Sequence, residues 1–227
     1  ECSKKLKKGS CEHKRCVCPT TCPAMPVTHE PHIKLLRRLR AMPGIRKVFV
    51  ASGIRTDLVM DDEKHGQAYI EEIAAHHVSG QLKVAPEHFD DRILSLMGKP
   101  GLDTILDFKE RFEKASAKAG KKQFLTDDVI AAHPGCSLED MKAMGDYARD
   151  RFGLTPEQVQ IFTPTPGTWS TVMYATGIDP FTNAKVFVER DGGKRRAQKE
   201  VVGGHRPPPR SASGLSMTSP RMQPRRY

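Results

Sequence analysis

Five cysteines crowd the first 22 residues: Cys2, Cys11, Cys16, Cys18 and Cys22, interleaved with Lys, Arg and Pro. Clustered thiols in a reducing compartment favour metal binding over disulfides. The spacing C-x4-C-x-C-x3-C over Cys11, Cys16, Cys18 and Cys22 departs from the paired C-x-x-C knuckles of a zinc ribbon. Two readings therefore stand, a bound metal or free thiols in a loop. Cys136 stands apart and reads as a small buried residue. A second set of candidates lies where short apolar runs end. Ser52 and Arg55 follow one run, and a hydroxyl with a guanidinium there can hold a carboxylate or ribose; a plain polar loop is the competing reading. Lys83 sits inside another run, so it faces a barrel lumen or an ion partner. Glu87, just beyond Pro86, can take an ammonium group or pair with Lys83. His133 can act as acid or base near neutral pH, or make a structural hydrogen bond in its tight turn. His76 and His77 end a helical pattern and read as solvent residues.

These residues need strands and helices to place them. Segments 47–52, 81–85 and 158–163, and a run from Phe124 into the His133-Pro134-Gly135 turn, read as strands, recurring every ~35 to 43 residues as βα repeats do. Helical patterns fill the intervals at roughly 66–78, 89–97, 102–119 and 137–152. The last begins with a capping box, Ser137 with Asp140, and presents Leu138, Met141, Met144, Ala148 and Phe152 on one face. Loops at the carboxyl ends of such strands are where α/β proteins bind small ligands. The pattern predicts an α/β fold of about four βα units, a partial (β/α) barrel.

The succession KVFVASGIRTDL, LKVAPEHFDDRILSLMGKPG, IAAHPGCSLEDM and QIFTPTPGTWSTVMYATG resembles the radical S-adenosylmethionine (SAM) proteins of the YgiQ type, from about Cys11 to about Gln198. The resemblance implies half of a TIM-like radical SAM barrel, with SAM held by Ser52, Arg55, Lys83, Glu87, His133 and the strand end at Pro164. It also implies a structural or auxiliary site at the cysteine segment, holding Zn²⁺ or a second Fe–S cluster, which spacing alone does not separate.

The family's cluster motif, C-x-x-x-C-x-x-C, is missing. Cys18-x-x-x-Cys22 matches its first two positions, but the third is Met25, and a thioether does not replace a thiolate. The ligands of the [4Fe–4S] cluster are thus expected outside this chain, in a missing N-terminal half that would be its partner. The chain by itself is expected to be inactive. A further departure is Asp127-Asp128 in the middle of a strand. Neighbouring strand residues face opposite sides, so one carboxylate enters the helix layer, which reads as a damaging change rather than new chemistry.

Charge divides the chain. Residues 1–22 carry six Lys/Arg against two acids, and residues 189–227 carry ten against three, so the 166 between them balance to −1. The sequence predicts a cysteine segment over 1–30, the half-barrel over 31–188, and a disordered Arg/Pro-rich tail over 189–227. No apolar run reaches membrane-span length and no signal-peptide pattern opens the chain, so a cytoplasmic protein without membrane contact is expected. The alternative function is a non-catalytic metal-binding module that contacts RNA through its cysteine segment and basic tail.

Overall fold

The computed structural model describes residues 2, 7–9, 11, 15–51, 53–152, 156 and 158–202. It is an α/β structure around a three-stranded parallel sheet, β1 (Gln81–Glu87), β2 (Phe124–Ala131) and β3 (Gln158–Ile161), in that spatial order. Ahead of the sheet come α1 (Glu30–Arg40), α2 (Thr56–Met60) and α3 (Gly66–Glu72), the last running into a π-helical turn over Ile73–His77. Helices α4 (Asp91–Met97) and α5 (Leu102–Lys118) connect β1 to β2, and α6 (Leu138–Phe152) connects β2 to β3. Two more follow, α7 (Trp169–Thr176) and α8 (Gly192–Val202).

Local chemistry explains the helix starts. Asp90 caps α4 by accepting from Ile93 N, and Gly98 ends it in a left-handed turn. At α6 the expected capping box forms reciprocally: Ser137 N donates to Asp140 Oδ2 at 2.8 Å, and Asp140 N to Ser137 Oγ at 3.2 Å. Met141, Met144 and Ala148 are buried as their spacing predicts.

Strand alternation separates the two sheet faces. Leu82, Val84, Leu125, Val129, Ala131 and Val159 lie on the face that joins the hydrophobic core. Phe108 and Phe112 of α5 and Ile70 of α3 pack there with the first of these strands. Met141 and Met144 of α6 pack with Val202 of α8 over the rest. The opposite face carries Gln81, Lys83, Phe124, Asp128, Ile130, Gln158 and Gln160, all exposed or half-buried, and Thr126, which is buried. One side of this parallel sheet is therefore covered and the other is open and largely polar.

Three expectations change. Segment 47–51 forms no regular strand; among the described residues its backbone bonds, Val50 N to His77 O (2.9 Å) and Lys83 N to Ala51 O (3.4 Å), go to different elements. One bond to the π-helical turn and one to β1 do not make a ladder. His77 is fully buried rather than solvated, because the π-helical turn directs its Nδ1 to Val48 O at 2.8 Å. The stretch expected to be a tail from residue 189 contains α8, whose Val202 is buried against α6. Gln198 locks it in place: its Oε1 accepts from Ala132 N at 2.9 Å and its Nε2 donates to Cys136 O at 3.2 Å. Few apolar residues were needed because a buried amide supplies the anchor. The expected tail beyond Val202 lies outside the described residues.

Candidate functional site

The carboxyl end of β1 opens into a recess of about 140 Å³, lined by Arg55, Asp57, Ala85, Pro86, Lys99 and Pro100, among others. Its polar groups are two ion pairs. Arg55 donates from Nε to Asp57 Oδ1 at 3.0 Å and from Nη2 to Asp57 Oδ2 at 2.5 Å, a two-point clamp. That bonding raises the Arg55 pKa, with burial working against it. Lys99 Nζ lies 2.8 Å from Glu87 Oε1 beside the recess and donates to Ala85 O at 3.2 Å. Backbone strain marks the same level of the sheet. Glu87 has φ +70° and Ala132 φ +58°, two non-glycine residues in the left-handed region at the carboxyl ends of adjacent strands. Such strain clusters at functional sites.

Arg55 lines this recess and Glu87 lies beside it on Lys99, but Glu87 does not pair with Lys83. The register shifts between Val84 and Glu87, and Glu87 turns to Lys99. Lys83 instead spans the open face: Nζ is 3.1 Å from Asp128 Oδ1 on β2 and 2.6 Å from Gln158 Oε1 on β3. Lys83 and Gln158 edge a recess of about 400 Å³ that is also lined by Phe49, Ser79, Gln81, Thr126 and Asp127. Ser52 lies outside the described residues, between Ala51 and Gly53.

His133 is buried after the end of β2, and both ring nitrogens are occupied. Nδ1 is 2.8 Å from Pro134 O, and a carbonyl only accepts, so Nδ1 carries the proton. Nε2 then accepts from the Ser170 hydroxyl at 2.7 Å. Burial pulls the His133 pKa down to about 4, opposed by the bond to Pro134. Pro164 sits three residues past β3 in a loop stapled to α7: Thr165 N donates to Thr171 Oγ1 at 2.8 Å, which donates back to Thr165 O at 2.7 Å. Neither His133 nor Pro164 lines the Arg55 recess.

The four cysteines do not gather into one cluster. Cys11 and Cys16 are exposed, Cys22 is half-buried and Cys18 is buried. Among the described residues no three His, Cys, Asp or Glu side chains come together as a metal site. Cys136 is buried, as expected; its Sγ faces His88 Nε2 at 3.7 Å, and burial pushes its thiol pKa up to about 12. No helix among the described residues is long and apolar enough to cross a membrane.

Sequence reasoning passed over Asp57, Lys99 and Ser170. Lys99 carried a signal, since it directly follows Gly98, the left-handed cap that ends α4 below the recess. Ser170 carried none, because its partner lies 37 residues away.

Comparison with known proteins places these features in a family context. The model of a domain of unknown function, DUF3362, matches residues 157–208, the span of β3, α7 and α8. Over 202 residues the chain is 52% identical to a UPF0313 protein of Fusobacterium nucleatum, covering 89% of this chain and 36% of that protein. It is 46% identical over 202 residues to a UPF0313 protein of Methanosarcina mazei, covering 32% of that protein. With 45% identity over 201 residues, a UPF0313 protein of Clostridium perfringens is matched over 30% of its length. Across 89% of its length the chain is thus homologous to UPF0313 proteins, and it spans about a third of the length of the relatives it matches.

Proposed function

We propose that this chain is the SAM-side half of a radical SAM partial barrel, acting on a substrate held in the lumen. The observation that carries the reading is the open polar face of a parallel sheet. All-parallel sheets are covered on both faces, by helices in open folds or by a filled lumen in barrels. Here the helices cover one face, and Lys83, Asp128 and Gln158 line the other. The missing cover is the remainder of a barrel, the partner half expected to hold the cluster. Three of the four motifs that resemble the YgiQ-type proteins fall on β1, β2, β3 and the segments after them, and the first, KVFVASGIRTDL, runs into α2.

The residues at the end of β1 fit the amino-acid end of SAM. Arg55 already holds a carboxylate in two-point geometry, that of Asp57, and can exchange it for the ligand's. Glu87 already holds an ammonium group, that of Lys99, and can exchange it likewise. The recess of about 140 Å³ is smaller than a site for a ligand of this size, roughly 300 Å³ or more, so other walls come from the partner half. When bound and reduced, SAM supplies hydrogen-abstraction chemistry, while the protein supplies orientation and exclusion of water. Arg55 and Glu87 orient the ligand, and the Lys83–Asp128 pair faces the substrate.

The test is a full-length UPF0313 relative carrying this segment in place of its own, reconstituted anaerobically with iron and sulfide and then reduced. Expected is 5′-deoxyadenosine formation, a loss of roughly 100-fold or more with Arg55→Ala (about 2.7 kcal/mol), and none from the present chain alone. Absence of 5′-deoxyadenosine from the reconstituted graft, with its cluster present, overturns the reading.

A further inference from the structure

The cysteine segment runs as a strap past the recess at the end of β1. Arg15 fixes one end: Nη2 donates to Ser95 O at 3.0 Å in α4, and the guanidinium lies 4.6 Å from the centre of the Phe181 ring. Its Nη1 also crowds Gly98, standing 2.9 Å from where a side chain would begin. Thr21 fixes the other end by donating to Asp61 Oδ2, directly after α2. Between the two anchors Cys18 is buried. The strap thus joins the end of α4, at Gly98 next to Lys99, to Asp61 after α2.

Within it the backbone closes on itself. Cys22 N donates to Cys16 O at 2.7 Å. Standard bond lengths from that oxygen and nitrogen to their own Cα atoms then cap the Cα–Cα separation at about 6.6 Å. Disulfides span Cα–Cα distances of about 4.4–6.8 Å. Cys16 is exposed and open to an oxidant in solution, and Cys22 is half-buried behind it. Cys18, the cysteine between them, is buried and so shielded from that oxidant.

We propose that Cys16 and Cys22 form a redox-active dithiol whose disulfide closes the strap between α4 and the end of α2. The chemistry is thiol exchange with glutathione disulfide. The Cys16 thiolate attacks one sulfur of glutathione disulfide, forming a mixed disulfide and releasing one glutathione thiolate, which takes up the proton Cys16 lost. The Cys22 thiolate then attacks the Cys16 sulfur, forming the internal bond and releasing the second glutathione. The two cysteines lose two electrons and two protons, and the oxidant becomes two molecules of glutathione. Neither step depends on SAM or on the missing half.

The test uses the present chain, purified reduced and equilibrated in buffers of rising glutathione disulfide to glutathione ratio. Alkylation and peptide mapping follow. Expected is loss of two alkylatable thiols, a mass lower by about 2 Da, and a Cys16–Cys22 cross-linked peptide. Cys18→Ala should preserve the bond, while Cys22→Ser should stop at the Cys16–glutathione adduct. The proposal is overturned by full alkylation at every ratio, by an adduct on Cys16 that Cys22 never resolves, by pairing through Cys2, Cys11 or Cys18, or by thiols masked by a co-purified metal.

Discussion

Lys83 and Asp128 stand on adjacent parallel strands with Nζ 3.1 Å from Oδ1, on the sheet face that no helix among the described residues covers. Each explains the other. A lysine inside an apolar strand needs a counter-charge, and a carboxylate directly before Val129 and Ile130 needs a cation. Gln158 on β3 completes the row by accepting from Lys83 at 2.6 Å.

Removing one member should therefore cost more than removing both. Lys83→Met should destabilise the chain by about 1–2 kcal/mol, because Asp128 is left half-buried and unpaired. Lys83→Met with Asp128→Leu should recover most of that loss. Urea melts of the two single variants and the double variant measure the coupling, and additive losses would argue against it.

Asp127 faces the other way, into the helix layer between Leu125 and Val129. It is 5% exposed, and its Oδ1 has no hydrogen-bond partner. Burial, reinforced by the Asp128 charge and opposed by Lys109, pushes its pKa up to about 6 from 3.8. A carboxyl with a raised folded-state pKa favours the fold while protonated, so this contribution is lost as pH rises from about 4 through 6. The scale is about 3 kcal/mol at most. Asp127→Asn should accordingly match the native chain at pH 4 and exceed its stability at pH 8 by roughly 2–3 kcal/mol. Equal stability at pH 8 would mean the carboxylate is well paired.

His88 and His133 pull in the opposite direction. Burial lowers both to about 4 from 6.5. Unfolded imidazole takes a proton below about pH 6.5 and the folded ring does not, so their stability is present above that pH and lost as pH falls toward 4. Two such groups outweigh one Asp127. The native chain should therefore gain stability between pH 4 and 6.5, and Asp127→Asn should gain more steeply. Denaturant melts across that interval check the sign.

Ser170→Ala should leave the buried Nε2 of His133 without its donor, at a cost of about 1–2 kcal/mol. The proton should stay on Nδ1, held by Pro134 O. Nitrogen-15 chemical shifts of the ring identify the tautomer directly. A ring protonated on Nε2 would contradict the hydrogen-bond assignment.

Gly66 opens α3 where the chain passes closest to itself. A Cβ there would stand 2.1 Å from Val59 O, a backbone atom that cannot swing aside. Gly66→Ala should cost about 2–3 kcal/mol or more by overpacking. At Gly80 nothing lies within 4 Å. Gly80→Ala should stay within about 0.5 kcal/mol of neutral, as open surface positions do. Thermal melts of both separate close approach from a general aversion to side chains at glycine.

What the residues determine alone is local. The Ser137–Asp140 capping box, the buried face of α6, and strands β1, β2 and β3 follow from short-range periodicity and capping, which act over a few residues. Strand alternation likewise foretold that Asp127 and Asp128 part company. Partner choice was not legible. Glu87 turns to Lys99 rather than Lys83 because of a register shift, and His133 finds Ser170 across 37 residues. The packing of α8 rests on Gln198 reaching Ala132 and Cys136, 66 and 62 residues away, so a polar stretch read as a tail. Only the tertiary structure decides such pairings, because hydrogen-bond and charge energies depend on distances that chain folding sets and sequence spacing does not.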